Sequence, residues 1–336
     1  MEGYFSRREL LSSSQIKALI KKGEDKKDEY RNQFVLGDLV DKVLTENGVL
    51  EKLCIVDKGV EVPKPQLKSF VDAVFKLYKY DLIKIEGSAN PSIREDYLTE
   101  AYTEVNSKSR SFEQMLEDFN KSPCQTYWHH LIKREKNYEK ALILEYEEEQ
   151  VLKCIKDVRE SRFNLYFRNN KGVFNQLEIY TKYYKIKLDC LYFDYNKLEI
   201  QLIDLKTCAT FTENAMYNIL AFRYDIQAYF YHFVIQLILS GEEFTSNNPE
   251  FDELMKFRKA ITLSQTFNFI FVSKIYNSQV LEIKYRIEDE KEILGRRLYT
   301  KYDVQKAIEI HKICRDRNVE ANLTNYYLLN NSSIEV

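Results

Sequence analysis

Between residues 174 and 231 the spacing of apolar and polar positions changes period. Ile186, Leu188 and Cys190 alternate with Lys185, Lys187 and Asp189, the period of two of a half-buried strand over 182–193. Asp194, Tyr195 and Asn196 predict a tight turn, and residues 197–207, KLEIQLIDLKT, predict a second strand running back. Tyr217, Leu220, Tyr224, Gln227, Tyr231 and Ile235 then recur at helical spacing. A further strand, QLEIYT with Glu178, precedes the pair. After the helix, Gly241 marks a stop and Ser246 to Pro249 a turn. FNFIFVSKI (267–275) and QVLEIKYRI (279–287) predict two more strands, and a long helix follows over about 290–318.

The earlier part of the chain is helical in pattern. Ser12 to Ser14 can cap a helix starting near Gln15, with Ile16, Leu19 and Ile20 inward. A second helix over about 28–46 carries Phe34, Leu36, Leu39, Val40, Val43 and Leu44 on its apolar side. Residues 47–65, with Gly48, Gly59, Pro63 and Pro65, read as a connector. Helical patterns then cover about 66–82, 92–106, 111–134 and 138–160. The order is therefore helices, three strands, a helix, two strands and a helix. That order predicts an α/β core, a mixed sheet flanked by helices, with a helical insertion. The expected division is N-terminal core helices over 1–49, the insertion over 50–165, the core over 166–320 and a frayed tail over 321–336.

Composition narrows the class. Hydrophobic residues make up 44% and charged residues 30%, ordinary for a globular chain. A net charge of −2 advertises no global attraction to nucleic acid, although a local basic groove suffices for that. The six cysteines show no C-x-x-C spacing, which argues against zinc and suits a reducing compartment. No apolar leader opens the sequence and no run reaches the length of a membrane span, so the expected location is cytoplasmic, without a membrane partner. His129 and His130, beside Trp128, read as a packed or surface pair.

The candidate chemistry sits on the hairpin. Side chains two apart on a strand share a face, so Asp204 and Lys206 do, and folding about the turn carries Asp189 towards Asp204. Two carboxylates suit a hard divalent cation, and a lysine beside them can hold water or stabilise developing charge. A salt-bridged hairpin accounts for D-x-K taken alone. Gln227 and Tyr231, four apart on the following helix, add an amide and a phenol on one face.

Together, D-(x)n-D-x-K followed by Q-x-x-x-Y resembles the RecB/RecE-like branch of the PD-(D/E)xK nucleases, including exodeoxyribonuclease VIII-like and lambda-type phage exonucleases. The resemblance covers about 10–46 and 170–318 and implies a restriction-endonuclease-like core. It implies Asp189 and Asp204 as metal ligands, Lys206 as the catalytic lysine, and Gln227 and Tyr231 as the accessory motif. It also implies Mg²⁺ or Mn²⁺ as cofactor, DNA as partner and exonucleolytic cleavage in recombination or genome processing. Host cytoplasm would be the location of a phage-encoded member. Ring-shaped homo-oligomers and recombination partner proteins occur in such families. Some members hold an iron–sulfur cluster on C-terminal cysteines, but the cysteine cluster this needs is missing here, so none is expected.

In the second helix the family often carries G-x-x-x-H, with histidine as an outer ligand. Here G-D-L-V-D places Asp41 there, one turn after Gly37; a metal-facing acid and a solvated helix acid both remain open. Glu178 is a further candidate ligand. Arg223, Lys185, Lys187, Arg296 and Arg297 are candidate phosphate contacts. An endonuclease or resolvase on the same fold, and a non-catalytic DNA- or protein-binding module, are the alternative functions.

Overall fold

The structure, a computed structural model, describes residue 7 and residues 9–20, 32–84, 92–105, 110–136, 140–209, 215–275, 279–288, 291–293, 296–298, 300–317 and 321. Of the expected frayed tail over 321–336, all but residue 321 lies outside these residues. The chain divides into two compact units, one made of Met1–Gly48 and Gln150–Val336, the other of Val49–Glu149.

In chain order, the first unit opens with α1 (Ser13–Ile20) and α2 (Asn32–Thr45). Ser12 and Gln15 cap α1 reciprocally: the Ser12 amide donates to Gln15 Oε1 at 2.8 Å, and the Gln15 amide donates back to Ser12 Oγ at 3.5 Å. The second unit contains α3 (Leu50–Leu53), β1 (Cys54–Asp57), α4 (Pro65–Lys84), α5 (Glu95–Val105), α6 (Phe112–Phe119), α7 (Ser122–Lys136) and β2 (Ala141–Leu144). Its core gathers Phe75, Tyr78 and Phe119 around Trp128, with ring centroids 5.5, 4.9 and 5.6 Å away. The fully buried His130 faces Asp57 at 3.0 Å, so it serves packing and pairing within this unit. β1 and β2 form a small parallel pair that the helical periodicity concealed. The unit ends at Glu149, within α8 (Glu145–Glu160), ahead of the expected 165.

The rest of the first unit builds the sheet. Its elements are β3 (Val173–Thr181), β4 (Lys185–Asp194), β5 (Glu199–Cys208), α9 (Ala215–Ala221), α10 (Tyr224–Leu239), β6 (Phe244–Ser246), α11 (Pro249–Leu254), β7 (Thr262–Ser273), β8 (Val280–Arg286), β9 (Lys291–Ile293), β10 (Arg296–Leu298) and α12 (Thr300–Asp316). Six strands pair in the order β6-β3-β4-β5-β7-β8. Only β5 and β7 run parallel; the other neighbours are antiparallel. The fold is thus mixed α/β, a mixed six-stranded sheet flanked by helices, as the element order predicts. The α9–α10 segment belongs to the long crossover that a parallel β5–β7 pair requires.

Two elements differ from expectation. The residues expected to begin a helix at 290 form the short β9–β10 pair instead, and α12 starts at Thr300. The 244–246 segment, next to an expected turn, adds an edge strand to β3. Among the described residues no helix is long and apolar enough to cross a membrane.

Candidate active site

The hairpin register builds the site. Asp194 Oδ1 accepts from the amides of Asn196 at 2.9 Å and Lys197 at 3.3 Å, which closes the turn. The strands then pair from Asp194–Glu199 to Cys190–Ile203. Just beyond the last pair, Asp189 turns to the start of the Asp204 segment, where the Leu205 amide donates to its Oδ2 at 2.9 Å.

Asp204 is 2% exposed and is held from two sides. Gln227 Nε2, from the first turn of α10, donates to Oδ1 at 2.7 Å, and the Lys206 ammonium lies 2.5 Å from Oδ2. α10 can reach Asp204 because it packs on the face bearing Phe267, Phe269 and Phe271, to which β5–β7 pairing also assigns Asp204 and Lys206. Burial alone would lower the pKa of Lys206; Asp204 and Asp189 outweigh it, and the net shift is upward. Lys206 is therefore a firmly charged ammonium.

Asp41 approaches from α2. Gly37, one turn earlier, permits close contact with β5, since a Cβ there would stand 3.1 Å from Thr207 Oγ1. Burial, then the Asp204 charge, push the Asp41 carboxyl up to about 6, so it belongs to the same electrostatic cluster rather than to a solvated helix face. Its Oδ2 accepts from Gln176 Nε2 at 2.7 Å, while Oδ1 is buried without a hydrogen-bond partner. Asp189 is raised well above the usual carboxylate range by burial, then by Asp204 and Asp41.

Gln176 was not legible as a site residue. It sits inside β3 with φ of 46°, a left-handed backbone unusual for a non-glycine residue. At this level both strands change face. Buried Phe174 is followed by Leu177 and Ile179 on β3, and buried Ile186 and Leu188 by Leu191 and Phe193 on β4, all in one core. The simple alternation read over 185–190 therefore holds only up to Asp189. The kink frees Gln176 to bridge Asp41 and Thr45, whose Oγ1 accepts at 3.0 Å.

The remaining candidates fall away from the cluster. Glu178 shares its face with Lys187, whose ammonium is 3.8 Å from it, and accepts from the Tyr180 hydroxyl at 2.7 Å. Lys185 is 5% exposed and donates to the Arg7 carbonyl, which corrects its reading as a phosphate contact. Arg223 is likewise corrected: it pairs with Asp225 at 3.0 Å and Asp303 at 2.8 Å, joining α10 to α12. Arg296 and Arg297 lie on β10, with side chains outside the described residues. Tyr231 is buried one turn beyond Gln227 and meets the Ser13 side chain; burial pushes its phenol up to about 12. Among the described residues no hydrogen bond joins it to Asp204 or Lys206. Tyr224 does reach the site, since the Lys206 ammonium stands 4.8 Å from its ring centroid. Its helical spacing was visible, its place over Lys206 was not.

The donor set fits a hard divalent cation in kind. It offers carboxylates alone, and Asp41 Oδ1 and Asp204 Oδ2 are buried without a hydrogen-bond partner, the second in ion-pair contact with Lys206; Mg²⁺ takes one or two carboxylates with water completing its shell. Among the described residues no three Asp, Glu, His or Cys side chains are gathered closely enough to form a ready metal cluster. No protein-family model, curated protein or solved structure matches this chain.

Proposed function

We propose that the chain is a divalent-metal-dependent nuclease, an exonuclease on DNA, built on a restriction-endonuclease-like core. The observation that carries this reading is the electrostatic coupling of Asp189 and Asp41 to Asp204, whose carboxylate is paired with the half-buried ammonium of Lys206. Three acids against one base leave an excess of negative charge that a cation would neutralise. Asp189 and Asp204, with Asp41 beside them, would hold Mg²⁺ or Mn²⁺, which when bound polarises a phosphoryl oxygen and acidifies water. Lys206 offsets negative charge that grows on the phosphate as the bond breaks. Gln227 fixes the Asp204 carboxylate, and Gln176 fixes that of Asp41.

One observation favours the alternative of a DNA-binding module that does not cleave. Both Asp204 oxygens already face protein partners, Gln227 and Lys206. Digestion of linear and circular DNA with Mg²⁺, Mn²⁺ or EDTA separates the readings. Metal-dependent loss of linear DNA alone supports the exonuclease; loss of circular DNA supports the endonuclease or resolvase. DNA binding with neither form cut supports the binding module.

A further inference from the structure

Phe222 and Tyr224 flank Arg223, whose backbone is left-handed, with φ of 50° and ψ of 48°. A non-glycine residue rests there only where its surroundings hold it, and strain of this kind collects at functional sites. Arg223 is held by the fully buried Asp225, which also accepts from Thr300 Oγ1 at 2.8 Å, and by Asp303. The turn stacks the two aromatic rings on each other, with centroids 5.6 Å apart and planes 27° apart. Tyr224 reaches inward to Lys206, while Phe222, in the turn before α10, stays 37% exposed. A second ammonium, Lys17 of α1, stands 5.2 Å from the Tyr224 ring centroid. An exposed aromatic ring thus lies stacked on a half-buried one that two cations approach, and one of these cations is the candidate catalytic lysine.

Resting on the nuclease reading above, we propose that Phe222, backed by the stacked Tyr224 ring, forms a stacking ledge for one unpaired nucleobase whose neighbouring phosphate lies at Lys206. An aromatic face takes any base by stacking, and cations beside it suit the flanking phosphates. A base inside a duplex is already stacked on its neighbours and cannot use the ledge without being unpaired. The ledge therefore selects single strands or frayed ends. Arg223 acts here as a positioning residue; its guanidinium is committed to Asp225 and Asp303.

The test uses the full chain in EDTA, so that binding is read without cleavage. The probes are a short single-stranded DNA with a terminal 2-aminopurine and the matching blunt duplex. The wild-type protein should bind the single strand more tightly and quench its 2-aminopurine. Phe222→Leu, which keeps apolar bulk but removes the ring, should cut the single-strand preference about tenfold and relieve the quenching. Phe222→Trp should restore both. Phe257→Leu, at a 71% exposed ring away from the ledge, should change neither. Unchanged quenching and preference in Phe222→Leu, or an equal loss for both probes, overturns the ledge. If the wild-type protein also cuts DNA and Lys206→Ala does not, that overturn leaves the nuclease reading standing. If the wild-type protein binds neither probe, the ledge falls, and the digestion of linear and circular DNA with Mg²⁺ or Mn²⁺ decides the nuclease reading separately.

Discussion

Two charged clusters border α10, and they are built on opposite principles. At its N-terminal cap, Arg223, Asp225, Asp303 and Thr300 form a closed network in which each oxygen of the buried Asp225 has a donor. Within its first turn, Gln227 leads into Asp204, Lys206, Asp189 and Asp41, where acids outnumber the one ammonium and an Asp41 oxygen is left over. Buried charge that serves folding is paired and hydrogen-bonded, because an unpaired buried charge is costly. The second cluster departs from that rule, and two of its acids respond with raised pKa values. Other buried polar atoms also lack a hydrogen-bond partner, His130 Nε2 and Asn268 Oδ1 among them, but here the shortfall falls on mutually repelling acids beside an ammonium, and such a cluster points to chemistry.

The comparison breaks most visibly at Asp225. Asp225→Ala leaves Arg223 facing a buried gap and should cost about 3–5 kcal/mol in urea unfolding. A loss below about 1 kcal/mol would show that the first cluster is not structural. Lys206→Ala, by contrast, removes a cation from among mutually repelling acids. It should cost some stability, because Asp204 loses its cation, and in the folded variant it should lower DNA cleavage on the order of a hundredfold or more; Asp204→Asn should lower cleavage likewise. Folded variants cutting at wild-type rates would sink the active-site assignment.

Asp41 sharpens the contrast through pH. Its carboxyl is raised from near 3.8 to about 6 in the folded protein. Between these values the fold holds the proton that the unfolded chain releases, so stability falls as pH rises through that window. The loss at this group approaches about 3 kcal/mol above pH 6. Asp41→Asn should therefore be more stable than wild type at pH 8 in EDTA, by about 1–3 kcal/mol, with the gap closing below pH 4. Added Mg²⁺ should raise the melting temperature of the wild type more than that of Asp41→Asn. Parallel stability–pH curves for the two proteins would place Asp41 outside the cluster.

Much of this arrangement was legible because it is local. Period-two spacing and a short turn bring Asp189 to Asp204, and helical spacing on α10 makes Gln227 a candidate partner. The α2 reading also rests on a local cue, a glycine one turn before an acid. What escaped depends on the third dimension. Lys185 alternates like a surface lysine, yet its amine turns into the N-terminal segment. Arg223 looks like a phosphate contact until Asp303, eighty positions later, is brought against it. The helical pattern before α12 gave no sign that β9 and β10 would pair. The kink at Gln176 left no trace either, since nothing in VFNQLEIYT marks one residue as left-handed.

Gln176 offers the finest division between the two kinds of cluster. Its amide donates to Asp41 Oδ2 and so favours the charged carboxylate, lowering a pKa that burial and Asp204 raise. Gln176→Ala removes that donor and leaves Asp41 without its amide partner, so the Asp41 pKa should climb further above 6. The sign follows: the variant's deficit against wild type is larger at pH 8, where Asp41 is charged in wild type, than at pH 5, where it is largely neutral. A hydrogen bond to a charged group sets the expected deficit at pH 8 at about 1.5–3 kcal/mol. Gln176→Gly loses the same hydrogen bond but accepts the left-handed backbone freely, so it should recover about 1 kcal/mol relative to alanine. Carboxyl-carbon NMR titration of Asp41 in the three proteins reads the pKa directly, and urea unfolding at the two pH values reads the energies. If glycine and alanine are equally destabilising and the Asp41 titration does not move, Gln176 is a passive strand residue. The left-handed kink would then have no part in holding the carboxylate.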